Sequence, residues 1–301
     1  MPDSRAHLDT ERANPASVEL DRLDTRRALE LFAAADLEAA RAVAEADEMI
    51  ARAVDLIAAR LAAGGRLFYL GAGTSGRLGT LDAAECPPTF QSDPELVQAL
   101  LAGGPEALTR AVEGAEDSSA GGAARVADAR VGERDVVLGI AAGGTTPFVH
   151  GALDEAARRS AATIFATCVP AAQVPDRGEV TIRLLTGPEL LAGSTRLKAG
   201  TATKMALNRI STLVMVRLGK VHGNLMVDVN TTGNAKLLAR GRSLVGTLTG
   251  LDEARCAELL DAAGGHVKLA ALMGAAGLER EPAEERLTRA GGFLRRALET
   301  P

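Results

Sequence analysis

The chain has 301 residues, of which 47% are hydrophobic, 24% are charged and only 2% are aromatic, and its formal net charge is −5. These values are typical of a folded globular protein, and without a basic excess the chain is not expected to bind nucleic acid. It has no apolar run of the roughly 20 residues that cross a membrane and no apolar signal-peptide core near Met1, so we expect a cytoplasmic protein without a membrane partner.

The predicted elements begin after a polar, charged segment, residues 1–13, which is expected to be mobile. An alanine-rich helix is predicted over 24–63, ended by Gly64-Gly65. Short apolar runs that are typical of buried parallel strands follow at 66–70, 96–101, 135–140, 162–168 and 179–185. Helical segments separate these runs at 76–85, 105–128 and 147–160.

This alternation predicts an α/β fold, a three-layer αβα sandwich around a five-stranded parallel sheet of the flavodoxin-like type. After Leu185 the strands stop and further helices are predicted, at 193–218, 235–247, 252–274 and 282–299, with breaks at Gly264-Gly265 and Gly291-Gly292. We therefore expect three parts, an N-terminal helical segment (1–55), a sheet domain (56–220) and a helical C-terminal subdomain (221–301).

The first predicted strand runs directly into a glycine-rich loop. Gly71, Gly73 and Gly76 match the pattern GxGxxG of dinucleotide-binding folds. That function also requires an acidic residue about 20 positions on, where this chain has a proline-rich stretch, and no lysine follows as in a nucleotide triphosphate loop. The alternatives left are a phosphosugar cradle, with donors from Gly73, Thr74 and Ser75 at a helix N-terminus, and a plain tight turn.

A second loop of small residues follows the strand predicted at 135–140. It includes Gly144, Thr145 and Thr146 and ends at Pro147, which suits the first turn of a helix. Ligands of open α/β sheets bind outside the carboxyl ends of the strands, at a switch point. The two loops are therefore expected to form one pocket.

Cysteine and histidine show no pattern of a metal site or a disulfide framework. Cys86, Cys168 and Cys256 are odd in number and far apart, and the four histidines are scattered. We expect neither a bound metal nor disulfides.

Acidic residues follow the first loop. Glu85 precedes two prolines near the end of a predicted helix, where a carboxylate opposes the helix dipole. Glu113 and Glu116 flank a glycine break in the segment AVEGAED. Spacing alone does not select a catalytic pair among them, because most glutamates are solvated surface residues and acidic clusters are common at helix N-termini.

At these residues the chain resembles the sugar isomerase (SIS) domain family and, within it, the N-acetylmuramic acid 6-phosphate etherases. The resemblance covers nearly the whole chain from about residue 14. Its most specific blocks are GAGTSGRLGTLDAAECPPTF (71–90), AVEGAED (111–117), GSTRLKAGTATKMALNRIST (193–212) and GNLMVDV (223–229).

The resemblance implies a homodimeric enzyme, with helices packed near the active site, that needs no cofactor. It would convert N-acetylmuramic acid 6-phosphate, an amino-sugar phosphate, and water to N-acetylglucosamine 6-phosphate and D-lactate in cell-wall sugar recovery. The family's two essential carboxylates fall on Glu85, as the acid that protonates the leaving lactyl oxygen, and Glu116, as the base at C2. The two roles remain exchangeable.

The resemblance also implies where the substrate's anions bind. The phosphate is expected on Thr74, Ser75 and neighbouring amides, with Ser194 and Thr195 joining them. Arg196, Lys198 and Lys204 are expected to hold the phosphate or the lactyl carboxylate, and a solvated basic face is the alternative for them.

The second loop departs from the family's pattern Ala-Ser-Gly-Arg-Thr-Pro. Gly143 and Thr145 stand where a hydroxyl and a guanidinium are expected. Weaker ligand binding, a shifted substrate preference and a diverged family member are the alternatives that this difference leaves open.

Two other functions are compatible with the same fold. A sugar-phosphate isomerase needs a base near C2 but no acid at a C3 ether. A non-catalytic sugar-phosphate sensor, as in glucokinase regulatory proteins, carries two SIS domains, whereas this chain has room for one. Release of D-lactate would distinguish the etherase from both.

Overall fold

The computed structural model describes residues 5–229, 231 and 235–299. They form two compact units. The first comprises residues up to Ala84 together with Glu95–Ser211, and the second comprises Glu85–Pro94 and the residues from Thr212 onward. The sheet lies wholly within the first unit, and the second is built from helices.

Five parallel strands form the sheet, as predicted. They are β1 (Leu67–Gly71), β2 (Val97–Leu101), β3 (Val136–Ile140), β4 (Ala162–Thr167) and β5 (Val180–Arg183). Their order is β2-β1-β3-β4-β5, with Leu67 opposite both Val97 and Val136. This is the flavodoxin-like order, whose switch point lies between β1 and β3.

Helices cover both faces of the sheet and complete the predicted three layers. The helices of the first unit are α1 (Thr25–Glu45), α2 (Asp47–Ala62), α3 (Gly73–Phe90, which continues into the second unit), α4 (Ser119–Asp128), α5 (Pro147–Arg158) and α6 (Lys198–Arg217, which also continues into the second unit). Phe68 and Leu70 of β1 point to the face on which α4 and α5 build an apolar cluster.

The opposite face of β1 packs against α3. A Cβ atom added at Gly79 would lie 2.8 Å from Tyr69 Cβ, so only glycine allows this close approach. The Tyr69 hydroxyl donates to buried Asp82 of α3 (2.8 Å), which also accepts from Asn208 of α6 (2.6 Å). This buried network ties α3 and α6 to the central strand.

The second unit has its own apolar core, as a helical subdomain requires. Its helices are α7 (Ala235–Thr249), α8 (Glu253–Ala262), α9 (Val267–Ala276), α10 (Arg280–Arg289) and α11 (Leu294–Glu299). The predicted breaks at Gly264-Gly265 and Gly291-Gly292 are confirmed, because all four glycines have positive φ and end helices there.

Several predicted helices differ in extent. The helix predicted over 76–85 runs from Gly73 to Phe90, so Glu85 lies within it and not near its end. The helix predicted over 24–63 is two helices that meet at Ala46. Most of 105–118 is loop with short 3₁₀ turns, so the predicted helix is reduced to α4. The helix predicted from Gly193 begins at Lys198.

The polar segment at residues 1–13, called the N-terminal segment below, also departs from expectation. Residues 1–4 lie outside the described part, but the segment from Arg5 onward is ordered, and Leu8 is fully buried in the cluster with α4 and α5. The prediction of a mobile segment was wrong here because it considered only composition, whereas one leucine buries its side chain among distant elements.

Candidate functional site

A cavity of about 320 Å³ lies at the carboxyl ends of β1 and β3, where the predicted pocket was expected. Its wall is formed by five parts of the first unit: the N-terminal segment, the loop after β1, the turn that contains Glu116, the loop after β3 and the stretch with Gly193 and Thr195. The predicted site residues that line it are Gly73, Thr74, Ser75, Glu116, Thr145, Thr146 and Thr195.

The loop after β1 presents a helix N-terminus to the cavity. Gly73 has a φ of +52°, and a Cβ atom at Gly76 would lie 2.5 Å from the Gly71 carbonyl oxygen, so both positions favour glycine. The first N–H groups of a helix have no partner within it. Together with the hydroxyls of Thr74 and Ser75, these groups form a donor set suited to an anion such as phosphate.

The loop after β3 supplies a second set of donors. Gly144 has a φ of +75° and is buried against Thr167 and Val174, which explains why a residue with a side chain would be strained there. Thr145 and Thr146 follow it and line the cavity just before α5. Hydroxyl-bearing residues of the two loops thus line the same cavity.

Glu116 is the catalytic candidate that the structure brings to this cavity. It lies in a 3₁₀ turn, Ala115–Asp117, that begins after Gly114 in the left-handed conformation. Its side chain is 49% exposed, and its Oε1 is 3.9 Å from Nη1 of Arg5. Glu116 thus shares this cavity with the N-terminus of α3 and the loop after β3.

The N-terminal segment contributes lining residues that sequence reasoning missed: Arg5, Leu8 and Glu11. Asp9 and Gln173 exchange two hydrogen bonds (3.0 and 2.8 Å), and the Gly193 N–H donates to the Thr10 carbonyl (3.1 Å). The only sequence signal for this docking of the segment was Leu8, a single leucine in a polar stretch.

A hydroxyl from the same segment lies beside the second loop. Thr10 Oγ1 is buried and, within the described residues, has no hydrogen-bond partner. A Cβ atom on Gly143 would be 3.4 Å from it. The segment therefore places a hydroxyl next to the position at which the loop itself lacks one.

The first N–H groups of α6 already have a partner within the protein. Buried Glu189 accepts from the Lys198 and Ala199 N–H groups (2.9 and 3.0 Å), so a protein carboxylate already occupies this helix N-terminus. The Lys198 side chain is 3% exposed, and its Nζ is paired with Glu38 (2.7 Å). Arg196 is exposed to solvent.

Around this helix start, Ser194 is half-buried between Gly193 and Thr195, both of which line the cavity. Of the predicted residues at 194–198, the structure therefore brings Thr195 to the cavity wall, and leaves Lys198 paired elsewhere.

Glu85 lies outside this cavity. It follows Thr74 by eleven residues on α3, belongs to the second unit, and its side chain is exposed. Along a helix axis, which rises about 1.5 Å per residue, that separation is roughly 16 Å.

In the described residues, no group of three or more His, Cys, Asp or Glu side chains is placed to hold a metal ion. Among the helices of the described chain, none is long and apolar enough to cross a membrane.

Comparisons with known proteins identify relatives over nearly the whole chain. Residues 49–157 match the family model of the glucokinase regulatory protein N-terminal SIS domain. An N-acetylmuramic acid 6-phosphate etherase from Synechocystis sp. is 56% identical over 99% of this chain and 97% of that protein. Another from Thermosynechococcus vestitus is 58% identical over 90% of this chain and 87% of that protein. A solved phosphoheptose isomerase from Francisella tularensis shares 18% identity over 65% of this chain and 98% of its own, with a TM-score of 0.42.

Proposed function

Because the chain belongs to the N-acetylmuramic acid 6-phosphate etherase family, we propose that the cavity between the loops after β1 and β3 is where the lactyl ether of this sugar phosphate is cleaved. The products are N-acetylglucosamine 6-phosphate and D-lactate, as amino-sugar recycling requires. The observation that carries the proposal is the position of Glu116 in the same cavity as an anion-binding helix N-terminus. We further propose that the enzyme works in the cytoplasm.

In the proposed complex, the phosphate occupies the cradle at the start of α3. The free amides of 73–75 and the hydroxyls of Thr74 and Ser75 donate to it. Thr145, Thr146 and Thr195 add hydroxyls from the other walls. The proposed reaction uses no metal or cofactor, because its steps are proton transfers, the elimination that breaks the C3–oxygen bond, and the addition of water.

The chemistry begins with the ring-opened sugar, whose C2 proton is acidic because C1 is an aldehyde. Glu116 takes that proton, and the electron pair forms a C2–C3 double bond while the C3–oxygen bond breaks. Glu85 protonates the departing lactyl oxygen. Water then adds its hydroxyl to C3 and a proton returns to C2, so both carboxyl groups regain their starting states. Each proton transfer contributes roughly 10²–10⁴ in rate.

The position of Glu85 is compatible with this role in a homodimer. A separation of roughly 16 Å along α3 exceeds the reach of one sugar phosphate bound at the helix start. The exposed carboxylate of Glu85 is available to the cavity of a second copy. We propose that each active site combines Glu116 of one subunit with Glu85 of its partner.

The direct test is incubation with N-acetylmuramic acid 6-phosphate followed by assay of D-lactate. Wild-type protein should release D-lactate, and Glu116→Gln and Glu85→Gln should each lower kcat by about 10²–10⁴-fold. Glu113→Gln is the matched control, since it changes an exposed carboxylate three residues before Glu116 and should retain activity. Wild-type protein that releases no D-lactate would reject the function, and active Glu85 or Glu116 variants would reject the residue roles.

A further inference from the structure

The cavity has little positive charge for a substrate with two anionic groups. Among the lining residues in the described part of the chain, Glu11 and Glu116 are anionic and Arg5 alone is cationic. The amides and hydroxyls of the two loops provide for one anion, the phosphate. The other anion is the carboxylate of the lactyl group, which two nearby glutamates would repel unless a cation lies beside it.

Arg5 extends its guanidinium toward the wall that Glu116 forms. Nη1 is 3.9 Å from Glu116 Oε1, and Nη2 is 3.9 Å from Asp117 Oδ1. Both distances exceed the roughly 2.7–3.2 Å of a hydrogen bond. The Arg5 side chain is 46% exposed, so its planar guanidinium can turn N–H donors to a ligand carboxylate and bind it with two parallel hydrogen bonds.

Contacts of the N-terminal segment hold Arg5 at this position. The Leu8 N–H donates to the Arg5 carbonyl (2.9 Å), and the Leu8 side chain is fully buried. Two residues later, the Thr10 carbonyl accepts from Gly193 on the cavity wall (3.1 Å). Because these contacts fix the backbone that follows Arg5, ligand binding should cost little ordering entropy there.

The chemistry of the substrate distinguishes its two anions. The lactyl group is joined to C3, next to the C2 from which Glu116 takes a proton, whereas the phosphate is on C6 at the other end of the sugar. A cation 3.9 Å from Glu116 therefore lies on the lactyl side. We infer that Arg5 binds the lactyl carboxylate and selects the ether substrate over amino-sugar phosphates that lack it, an inference that rests on the proposed function.

Two constants measured on the full-length protein test this inference. One is the KM for N-acetylmuramic acid 6-phosphate, and the other is the inhibition constant of N-acetylglucosamine 6-phosphate, which has the phosphate but no carboxylate. Arg5→Gln should raise the KM about 10- to 100-fold and change the inhibition constant by less than about twofold. Arg5→Lys, which keeps the charge without the planar fork, should recover part of the loss.

Arg12→Gln is the matched control. It removes the same charge from the same segment, but the Arg12 guanidinium is paired with Asp9 (3.0 Å), so both constants should stay at their wild-type values. An equal rise of both constants in Arg5→Gln would place Arg5 at the phosphate, and no change would mean that Arg5 contacts no part of the substrate. A shifted pH profile of kcat at constant KM would show that it acts through Glu116. Each of these results overturns the inference.

Failure of the proposed function would look different, because wild-type protein would then release no D-lactate. Calorimetric titration of the wild type and Arg5→Gln with the same two sugar phosphates would still decide the role of Arg5. The inference predicts that the substitution weakens only the binding of the ligand with the lactyl carboxylate, and equal or absent weakening contradicts it.

Discussion

Removal of the Leu8 side chain should release the N-terminal segment from the cavity and leave the sheet folded. Leu8 is 0% exposed, and truncation of a buried leucine to alanine costs about 2–5 kcal/mol. The neighbouring contacts are hydrogen bonds to Gln173 and Gly193, each with a net worth of about 0.5–1.5 kcal/mol. Leu8 therefore supplies a large share of the docking free energy, so in Leu8→Ala the segment should open before the rest unfolds.

Trypsin cleavage after Arg12 measures this opening. A loss of at least about 2 kcal/mol raises the open population at least about 30-fold, and cleavage at low trypsin concentration should accelerate by the same factor. Mass spectrometry would detect loss of the first twelve residues, and the KM should rise because Arg5 leaves the cavity. Val18→Ala is the control, because Val18 is 70% exposed. Unchanged cleavage together with a full loss of about 2–5 kcal/mol in unfolding free energy would show that segment and sheet unfold as one.

Further predictions concern the loop, the thiols and the subunits. Gly76→Ala should lower the unfolding free energy by about 1–3 kcal/mol in urea denaturation and weaken phosphosugar inhibition, because its Cβ would lie 2.5 Å from the Gly71 carbonyl oxygen. Burial raises the pKa of Cys168 to about 12, so at pH 8 roughly one Cys168 thiol in 10⁴ is ionised. Alkylation should therefore label none of the three buried cysteines until the protein is denatured. Rapid labelling of the native protein would contradict their burial. If the Glu85→Gln and Glu116→Gln proteins are mixed 1:1 and allowed to exchange subunits, half of the dimers contain one subunit of each kind and so carry one intact site. The mixture should therefore regain about a quarter of wild-type activity, and no recovery would contradict a site built from two subunits.

The sheet and the position of the cavity could be predicted from the sequence because their signals are local. Buried parallel strands are short apolar runs, and all five predicted runs form strands. Glycine-rich loops after two of those runs predicted a pocket at their carboxyl ends, and the flavodoxin-like strand order brings both loops to the switch point.

The remaining features depend on contacts between distant parts of the chain. The N-terminal segment docks through Leu8 and through hydrogen bonds to residues more than 160 positions away, which composition does not reveal. Likewise, the basic residues near 196–198 suggested an anion site, but a buried Glu189 caps α6 and Glu38 pairs with Lys198. Both contacts follow from tertiary packing and not from local pattern.

The departure of the second loop from the family pattern at Gly143 and Thr145 also has to be judged from contacts between distant parts of the chain. Loop residues alone indicated fewer polar groups for the substrate. The structure adds the Thr10 hydroxyl beside Gly143 and the Arg5 guanidinium in the cavity, both from the N-terminal segment.

Turnover of N-acetylmuramic acid 6-phosphate in deuterium oxide tests the proposed mechanism most directly. The proton that Glu116 removes from C2 should exchange with solvent, because this carboxylate is 49% exposed. N-acetylglucosamine 6-phosphate formed by the wild type should therefore carry deuterium at C2, detected by mass spectrometry and NMR, and the released D-lactate should carry no carbon-bound deuterium. Release of D-lactate with the original C2 hydrogen fully retained would contradict removal of that proton and, with it, the assignment of Glu116.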